Sequence, residues 1–470
     1  MDFLTGKIKK LYFRYLAAAF GSALITSIYA IVDTAMVGQY QGPDGTAALA
    51  VVAPIWNIIY SLGLFMGIGG AVLLSTAKGK ALNDTKRMNE YFTVSVIGAS
   101  ILAVIVWIAI IFFDKEILAL FGASDQLLPL ARRYVLPIKF VVPLFVFNQM
   151  LAAFLRNDND PMRATAGVLA GGIFNIFGDY IFVFVLNMGI FGAGLATAMG
   201  AGISFLTMLS HFVTKRNTLI LERPSKLLQQ LWEVCVTGIP TCIIDVATAV
   251  ICILFNRQIM KYLGSNALAI YGIIINISCF VQCCAYSVGQ AAQPIISVNL
   301  GARKNRRIKE TLKYALVTIA FFSVFWTILS MAVPNLYVKI FMTPTAEILD
   351  IAPMIIRVYG ISFLLLPLNI FSTYYFQSLM KAKTAFGVSM ARGVVISAIL
   401  LYLLPAFFGA NALWMTMPIT ELVVGIYAAI MIKKYTRQLK GEEEKSNYDF
   451  CVNTSRTMIK EVASALTKLF

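Results

Sequence analysis

Asn175 and Asp179 interrupt an otherwise lipid-compatible stretch, GGIFNIFGDYIF at residues 171–182. Four positions apart, they share one face of any helix that carries both. An ionisable side chain inside a membrane span costs about 3 kcal/mol on insertion scales and marks a functional position by default. The chain offers Asp33, Lys139, Asp179, Asp245, Arg257, Arg357, Arg392 and Glu421 as such residues. Counted along their helices at about 1.5 Å per residue, Asp33, Asp179 and Thr197 fall roughly 8–10 Å below the same membrane face. Asn175 lies one turn deeper, on the Asp179 face. Two carboxylates, an amide oxygen and a hydroxyl at one level suit a small hard cation such as Na⁺. Equally, two carboxylates sharing a low-dielectric site hold a proton near neutrality. The structural alternative is a hydrogen-bonded knot that only locks helices together.

The remaining buried charges are less specific. Lys139, at a depth similar to Asp179, is either a counter-ion to the acids or a residue that snorkels outward. Arg257 and Arg357 sit near span ends, where snorkelling is the simpler reading. Asp245, Arg392 and Glu421 lie nearer mid-depth in the second half. Arg392 and Glu421 are placed to pair, whereas a deep Asp245 facing a cavity suits a cationic substrate. Aromatic groups such as FLLLPLNIFSTYYF (363–376) could stack flat organic cations, or simply fill the membrane interior.

The elements that position these residues follow from composition. The 470 residues are 59% hydrophobic and 13% charged, with mean hydropathy +0.78. Soluble domains average about 25% charged residues, so the chain is an all-α integral membrane protein. Apolar runs of spanning length cover roughly 12–38, 47–77, 88–113, 130–155, 163–186, 190–214, 232–262, 267–298, 311–339, 350–380, 384–408 and 411–434. Pro137, Pro143, Pro240, Pro294 and Pro367 fall inside them as candidate kinks. The net charge of +16 resides in the loops rather than on one face, which excludes a nucleic-acid partner. The N-terminus and even-numbered connections hold 22 Lys and Arg, against five in the odd-numbered ones. Both termini are therefore expected in the cytoplasm of a multi-pass plasma-membrane protein. The basic N-terminus reads as the start of a first span rather than a cleaved signal. The seven Cys show no zinc or redox spacing and read as small core residues, and the single His211 as an interfacial one.

The expected organisation is a cytoplasmic N-terminus (1–11), a six-helix lobe (12–214), a linker (215–231), a second six-helix lobe (232–436) and a tail (437–470). In the tail, Ile459, Val462, Ala463 and Leu466 outline an amphipathic surface helix. The lobes resemble one another. GIGGAVLLSTAKG (67–79) aligns with GQAAQPIISVNLG (289–301) at an offset of 222, Pro143 with Pro367 at 224, and GTAALA (45–50) with GSNALA (264–269) at 219. Two six-span halves in parallel orientation, related by an axis along the membrane normal, suit an alternating-access carrier. A channel would show pore-lining repeats instead. The acids are not duplicated: Asp33 falls near Phe255, and Asp179 meets Leu403.

VDTAMVGQ (32–39), the glycine-rich second span running into LLSTAKGKALND, and FLRNDNDPMRATAGVLAGGIFNIFGDYIFVF followed by MGIFGAGLATAMG resemble the multidrug and toxic compound extrusion (MATE) family over about residues 10–435. The resemblance implies twelve helices in two lobes around a V-shaped opening, and export of organic compounds driven by H⁺ or Na⁺ influx. It places the family's cation-coupling residues on Asp33, Asn175, Asp179 and Thr197. Some members carry a seventh-helix acid several residues past Gly-x-Pro. In GIPTCIIDVATAV, Asp245 comes earlier and Thr248 holds the later place, a departure from that pattern. The expected protein is a secondary antiporter of small organic compounds, needing no cofactor and working as a monomer among membrane lipids. The alternatives are a lipid-linked oligosaccharide flippase, which would look like a fourteen-helix protein with a basic cavity, and a membrane enzyme. The latter would need His or Cys clusters or an aspartate-rich diphosphate motif, and the sequence has neither.

Overall fold

In hydrocarbon every backbone amide needs an internal partner, so apolar runs of this length wind into helices. The computed structural model describes residues 3–80, 85–215, 217–341 and 345–439. Its spans are α1 (Ile8–Gly42), α2 (Asp44–Lys80), α3 (Thr85–Leu120), α4 (Leu128–Ile138 with Val142–Asn157), α5 (Pro161–Val185), α6 (Ile190–Val213), α7 (Leu227–Tyr262), α8 (Asn266–Gly301), α9 (Asn305–Ala332), α10 (Ala346–Ser378), α11 (Ala382–Phe408) and α12 (Ala410–Leu439). Eleven are long, apolar helices, and the two arms of α4, bent by 61°, make the twelfth. Two ends differ from expectation. Val333 precedes Pro334, which is barred from continuing α9 and opens a separate short helix, Pro334–Phe341. At the other end, α12 runs on to Leu439. The amphipathic tail helix lies outside the described residues.

The internal repeat is visible atom by atom. α1 turns into α2 at Gly42 and α7 into α8 at Gly264, 222 residues on, both at positive φ (69° and 81°) that favours glycine. α4 breaks just before Pro143, and α10 passes through a 3₁₀ turn, Ile361–Leu364, just before Pro367. Asn148 Nδ2 donates from α4 to the Ala201 carbonyl of α6 at 3.0 Å, while Asn369 Nδ2 donates from α10 to the Glu421 carbonyl of α12 at 2.9 Å. Where α2 meets α8, a Cβ on Gly79 would collide with the Val298 carbonyl, and one on Gly301 with the Thr76 carbonyl. Residues 76 and 298 differ by the same 222 as 79 and 301. The pseudo-twofold axis therefore passes between the two glycines.

That axis also shows where the halves touch. Contacts run from the basic end to mid-depth: Tyr12 Oη to Thr318 Oγ1 (3.1 Å), Asn157 Nδ2 to Gln293 Oε1 (2.9 Å), Gly69 against Gly238, and Ser27 Oγ with Cys283 Sγ (3.2 Å). Residues 66–77 of α2 and 291–299 of α8 are buried on every side. Toward the other end the pattern changes. Asn57 in α2 and Asn276 in α8, 219 apart, are both exposed within their spans. Asn276 Nδ2 donates back to the Gly272 carbonyl at 2.9 Å, and the polar exposure on both helices suits faces that line a cleft between the halves rather than lipid. The halves are closed at the basic end and parted at the other.

Candidate functional site

Glycines bring α5 against both of its neighbours. A Cβ on Gly172 would press on Ile25 and Tyr29 of α1, one on Gly171 on the Gly200 carbonyl and Ser204 of α6, and one on Gly178 on Ala196. Small residues permit this close approach where no hydrophobic force draws helices together. Asn175, between these glycines, and Asp179, directly after the last of them, are thereby placed between α1 and α6. A π-helical turn, Tyr180–Val185, begins directly after Asp179. Such turns recur at functional positions.

Asp33, Asn175 and Asp179 are buried, with Asp179 at 0% exposure. Tyr134 Oη, from the first arm of α4, donates to Asp33 Oδ2 at 2.8 Å and lies 3.5 Å from Thr197 Oγ1. Asn175 Nδ2 donates to Thr197 Oγ1 at 3.0 Å. Asp179, one turn from Asn175 on α5, joins Asp33 as a second fully or nearly fully buried carboxylate of this cluster. Four acceptor oxygens there have no partner: Asp33 Oδ1, Asn175 Oδ1, and both oxygens of Asp179. Among the described residues no Lys, Arg or His pairs with either carboxylate. An unmet buried acceptor costs about 1–3 kcal/mol, more when charged. An oxygen-lined, net-negative cage of this kind is chemically suited to take a proton or an alkali cation.

Tyr134 was not apparent in the sequence, and its hydroxyl proton competes with any cation for Asp33. Tyr134→Phe is therefore expected to tighten cation binding roughly three- to tenfold, the worth of one hydrogen bond. The check is the ion concentration giving half-maximal transport; an unchanged or raised value would contradict this role.

Other sequence candidates fall elsewhere. Lys139 does not join the acids as a counter-ion. Its Nζ pairs with Asp114 Oδ2 at 2.9 Å, and Arg132 Nε reaches the same oxygen at 2.8 Å. Arg392 and Glu421 do pair, Nε to Oε1 at 2.8 Å, with Asn369 Nδ2 on Oε2 at 2.6 Å. This buried ion pair bridges α11 and α12, and Arg392 lies in a second π-helical turn, Ala391–Val395. Asp245, without an evident partner in the sequence, accepts from Tyr286 Oη at 3.3 Å and is only partly buried.

His211 corrects the interfacial expectation. It is fully buried at the basic end, with Nε2 2.8 Å from Asp158 Oδ2 and Nδ1 3.1 Å from Asp160 Oδ2. Lys78 Nζ and the Thr218 amide also reach Asp158, at 3.4 and 2.9 Å. Burial works to raise the Asp158 carboxyl, but its contacts with His211, Lys78 and Thr218 outweigh burial and hold it below the usual carboxylate range. Thr218, with Ile220 N on Asn89 Oδ1 (3.1 Å) and Glu222 N on Thr93 Oγ1 (2.8 Å), ties the inter-half linker to the first half.

Twelve helices in two equivalent halves, parted at one end over a buried acidic cage, define a membrane transporter and not an enzyme. The MatE family model matches residues 18–181 and again, 222 residues on, 240–403. The chain thus belongs to the MATE family of efflux transporters. It is 26% identical over 426 residues to the multidrug export protein MepA of Staphylococcus haemolyticus, covering 89% of this chain and 91% of that one. The MepA of Staphylococcus aureus is 25% identical over 414 residues, at 87% and 90% coverage. Among solved structures, the outward-facing conformation of a multidrug resistance MATE family transporter of the MOP superfamily superposes with a TM-score of 0.85. That match has 20% identity and covers 93% of this chain and 98% of that one. A MATE structure in the bent conformation gives 0.85 at 19% identity. At such identities the superpositions speak to fold alone.

Proposed function

We propose that the protein exports organic, cationic or amphipathic compounds across the plasma membrane in exchange for inward-moving H⁺ or Na⁺, with both termini cytoplasmic. The carrying observation is the set of four partnerless oxygens on Asp33, Asn175 and Asp179. The basic end, by the loop-charge rule, is the cytoplasmic one, so the cleft opens outward in this state. Export fits the names of the MepA relatives. Coupling fits a cage that is costly when empty and relieved when a cation enters.

The sequence of events follows from the contacts. A cation arriving through the open end neutralises the Asp33–Asp179 pair. Tyr134, freed from competing for Asp33, rearranges with Thr197 and Asn175, and the packing of α1, α4, α5 and α6 shifts. A cargo bound in the cleft, with Asp245 as a counter-charge for its basic group, then leaves outward. The lobes, 12–214 and 232–436, rock against one another so that the Gly79–Gly301 contact at the basic end parts, and carry the cation inward. One charge crossing about 100 mV supplies ~2.3 kcal/mol, and a tenfold uphill gradient of neutral cargo costs ~1.4 kcal/mol. One ion per molecule is enough in scale for a neutral cargo; exchange for a singly cationic cargo moves no net charge, so the ion's concentration gradient alone drives it. One chain holds every named residue, so a monomer suffices.

Efflux of a cationic dye from proteoliposomes under an imposed Na⁺ gradient, then under a pH gradient, tests the coupling. Acceleration by one of them is expected. Equal efflux with and without both gradients would sink the antiport reading.

A further inference from the structure

Tyr134 rides on a segment whose place the rest of its span does not set. Residues 139–141 separate the first arm of α4 from the second, and the two meet at a bend of 61°. Pro143 has no amide to carry a helical ladder across the break. The arm turns Ala131, Tyr134, Val135 and Ile138 inward, all buried. Its Tyr134 carbonyl lies against Gly194 of α6, where a Cβ would collide with it. A glycine seats the arm closely but has no side chain to grip it.

The grip comes from α3. Asp114 is buried although Phe112 and Phe113 beside it are exposed, and α3 leaves helical geometry at Phe113. Asp114 Oδ2 accepts from Arg132 Nε at 2.8 Å and pairs with Lys139 Nζ at 2.9 Å, while Oδ1 lies 3.5 Å from Arg132 Nη2. Trp107 Nε1, about two turns earlier on α3, donates to the Lys139 carbonyl at 2.7 Å. Arg132 precedes Tyr134 by two residues and Lys139 follows it by five, so the acid holds the arm on both sides of the tyrosine. The Lys139 and Asp114 side chains are 13% and 7% exposed, which spares this pair the screening that weakens surface ion pairs. The 2.8 Å bond from Tyr134 to Asp33 thus hangs on an acid that touches no member of the cage.

We propose that Asp114 is a positioning residue of the cation cage: by clamping the first arm of α4 through Arg132 and Lys139, it holds Tyr134 on Asp33 and so lowers the affinity of the cage for its cation. The effect on affinity rests on the coupling reading above; the placement of Tyr134 does not.

Two ways of opening the clamp separate position from charge. Asp114→Asn removes a negative charge, whereas Arg132→Gln with Lys139→Gln removes positive charge, so a field acting at a distance would shift cation affinity in opposite directions. Loss of the clamp shifts it the same way in both. The Na⁺ or H⁺ concentration giving half-maximal dye efflux is expected to fall about threefold, within the limit set by Tyr134→Phe. In the Tyr134→Phe background neither opening should change it by more than about twofold, and Asp114→Glu, which keeps the pairing, should restore most of the wild-type value. Fluorotyrosine at position 134 of the full chain, in nanodiscs without an ion gradient, reads the placement directly. One fluorine resonance is expected from the otherwise native protein, and a shifted or split one from both opened variants. An unmoved resonance, opposite affinity shifts in the two variants, or a full effect in the Tyr134→Phe background would overturn the proposal. Wild-type efflux indifferent to both ions would sink the coupling reading, and the fluorine spectra would still decide what holds Tyr134.

Discussion

Asp179→Asn is expected to reduce ion-driven dye efflux to the level of protein-free vesicles, while the protein inserts and folds as well as the native chain or better. The side chain is completely buried and neither carboxylate oxygen has a partner, so its charge contributes nothing favourable to the empty fold. An amide of the same shape removes most of the desolvation cost. Under the proposed coupling it also removes the group whose charge the cation would neutralise. Loss of activity together with equal or raised thermal stability is the signature of a functional site held at the expense of stability. Both quantities come from one preparation, by efflux in proteoliposomes and thermal unfolding in detergent. A variant that unfolds at lower temperature and still pumps would mean that Asp179 is a structural knot.

The opposite outcome is expected in the second half. Glu421→Ala strips the carboxylate from Arg392 and leaves a buried guanidinium unpaired, at a cost of about 3–5 kcal/mol. Asn369 keeps only its bond to the backbone carbonyl of residue 421. Replacing both partners, with Arg392→Met and Glu421→Leu, is expected to recover most of that loss, since a packed apolar pair of similar volume needs no counter-charge. Thermal unfolding of the single and double variants in the same detergent decides it. If the double variant is no more stable than Glu421→Ala, the pair is not a self-contained brace.

These two charged sites occupy unlike places in a duplicated fold, and the contrast is structural. Offset by about 221, the Arg392–Glu421 contact between α11 and α12 falls where α5 and α6 of the first half touch through Gly171 and the Gly200 carbonyl. Glycine contact there seats α5 closely enough to hold Asn175 and Asp179 against α1. An ion pair in the equivalent place keeps α11 and α12 joined by side chains instead. The first half is therefore built to present an unsatisfied acid, and the second to satisfy one.

Much of this was legible in the sequence for a local reason. A carboxylate inside an apolar run is conspicuous wherever its partners lie, so Asp33, Asp179, Asp245 and Glu421 were visible one by one. The periodicity of 222 was legible because Gly79, Gly301, Pro143 and Pro367 serve backbone geometry, and backbone requirements survive when side chains diverge. Partners were harder to see. Tyr134 reaches Asp33 across 101 positions, and a tyrosine near a span end looks like any interfacial aromatic. His211 lacked a signal for the same reason: Asp158 and Asp160 sit in a loop more than fifty residues earlier. The partner of Lys139 was not visible because Asp114 lies just beyond the expected end of the third span, whereas α3 continues to Leu120.

The central claim is that cargo and cation compete through the Asp33–Asp179 cage, and it has a direct measurement. A cationic dye is added to purified protein, and the cation released is followed with a pH indicator in weak buffer and with a Na⁺-sensitive electrode. The wild-type protein should release H⁺ or Na⁺ in proportion to dye bound, and Asp33→Asn should bind dye and release neither. Equal release from the variant and the wild-type protein would place the coupling ion elsewhere in the molecule.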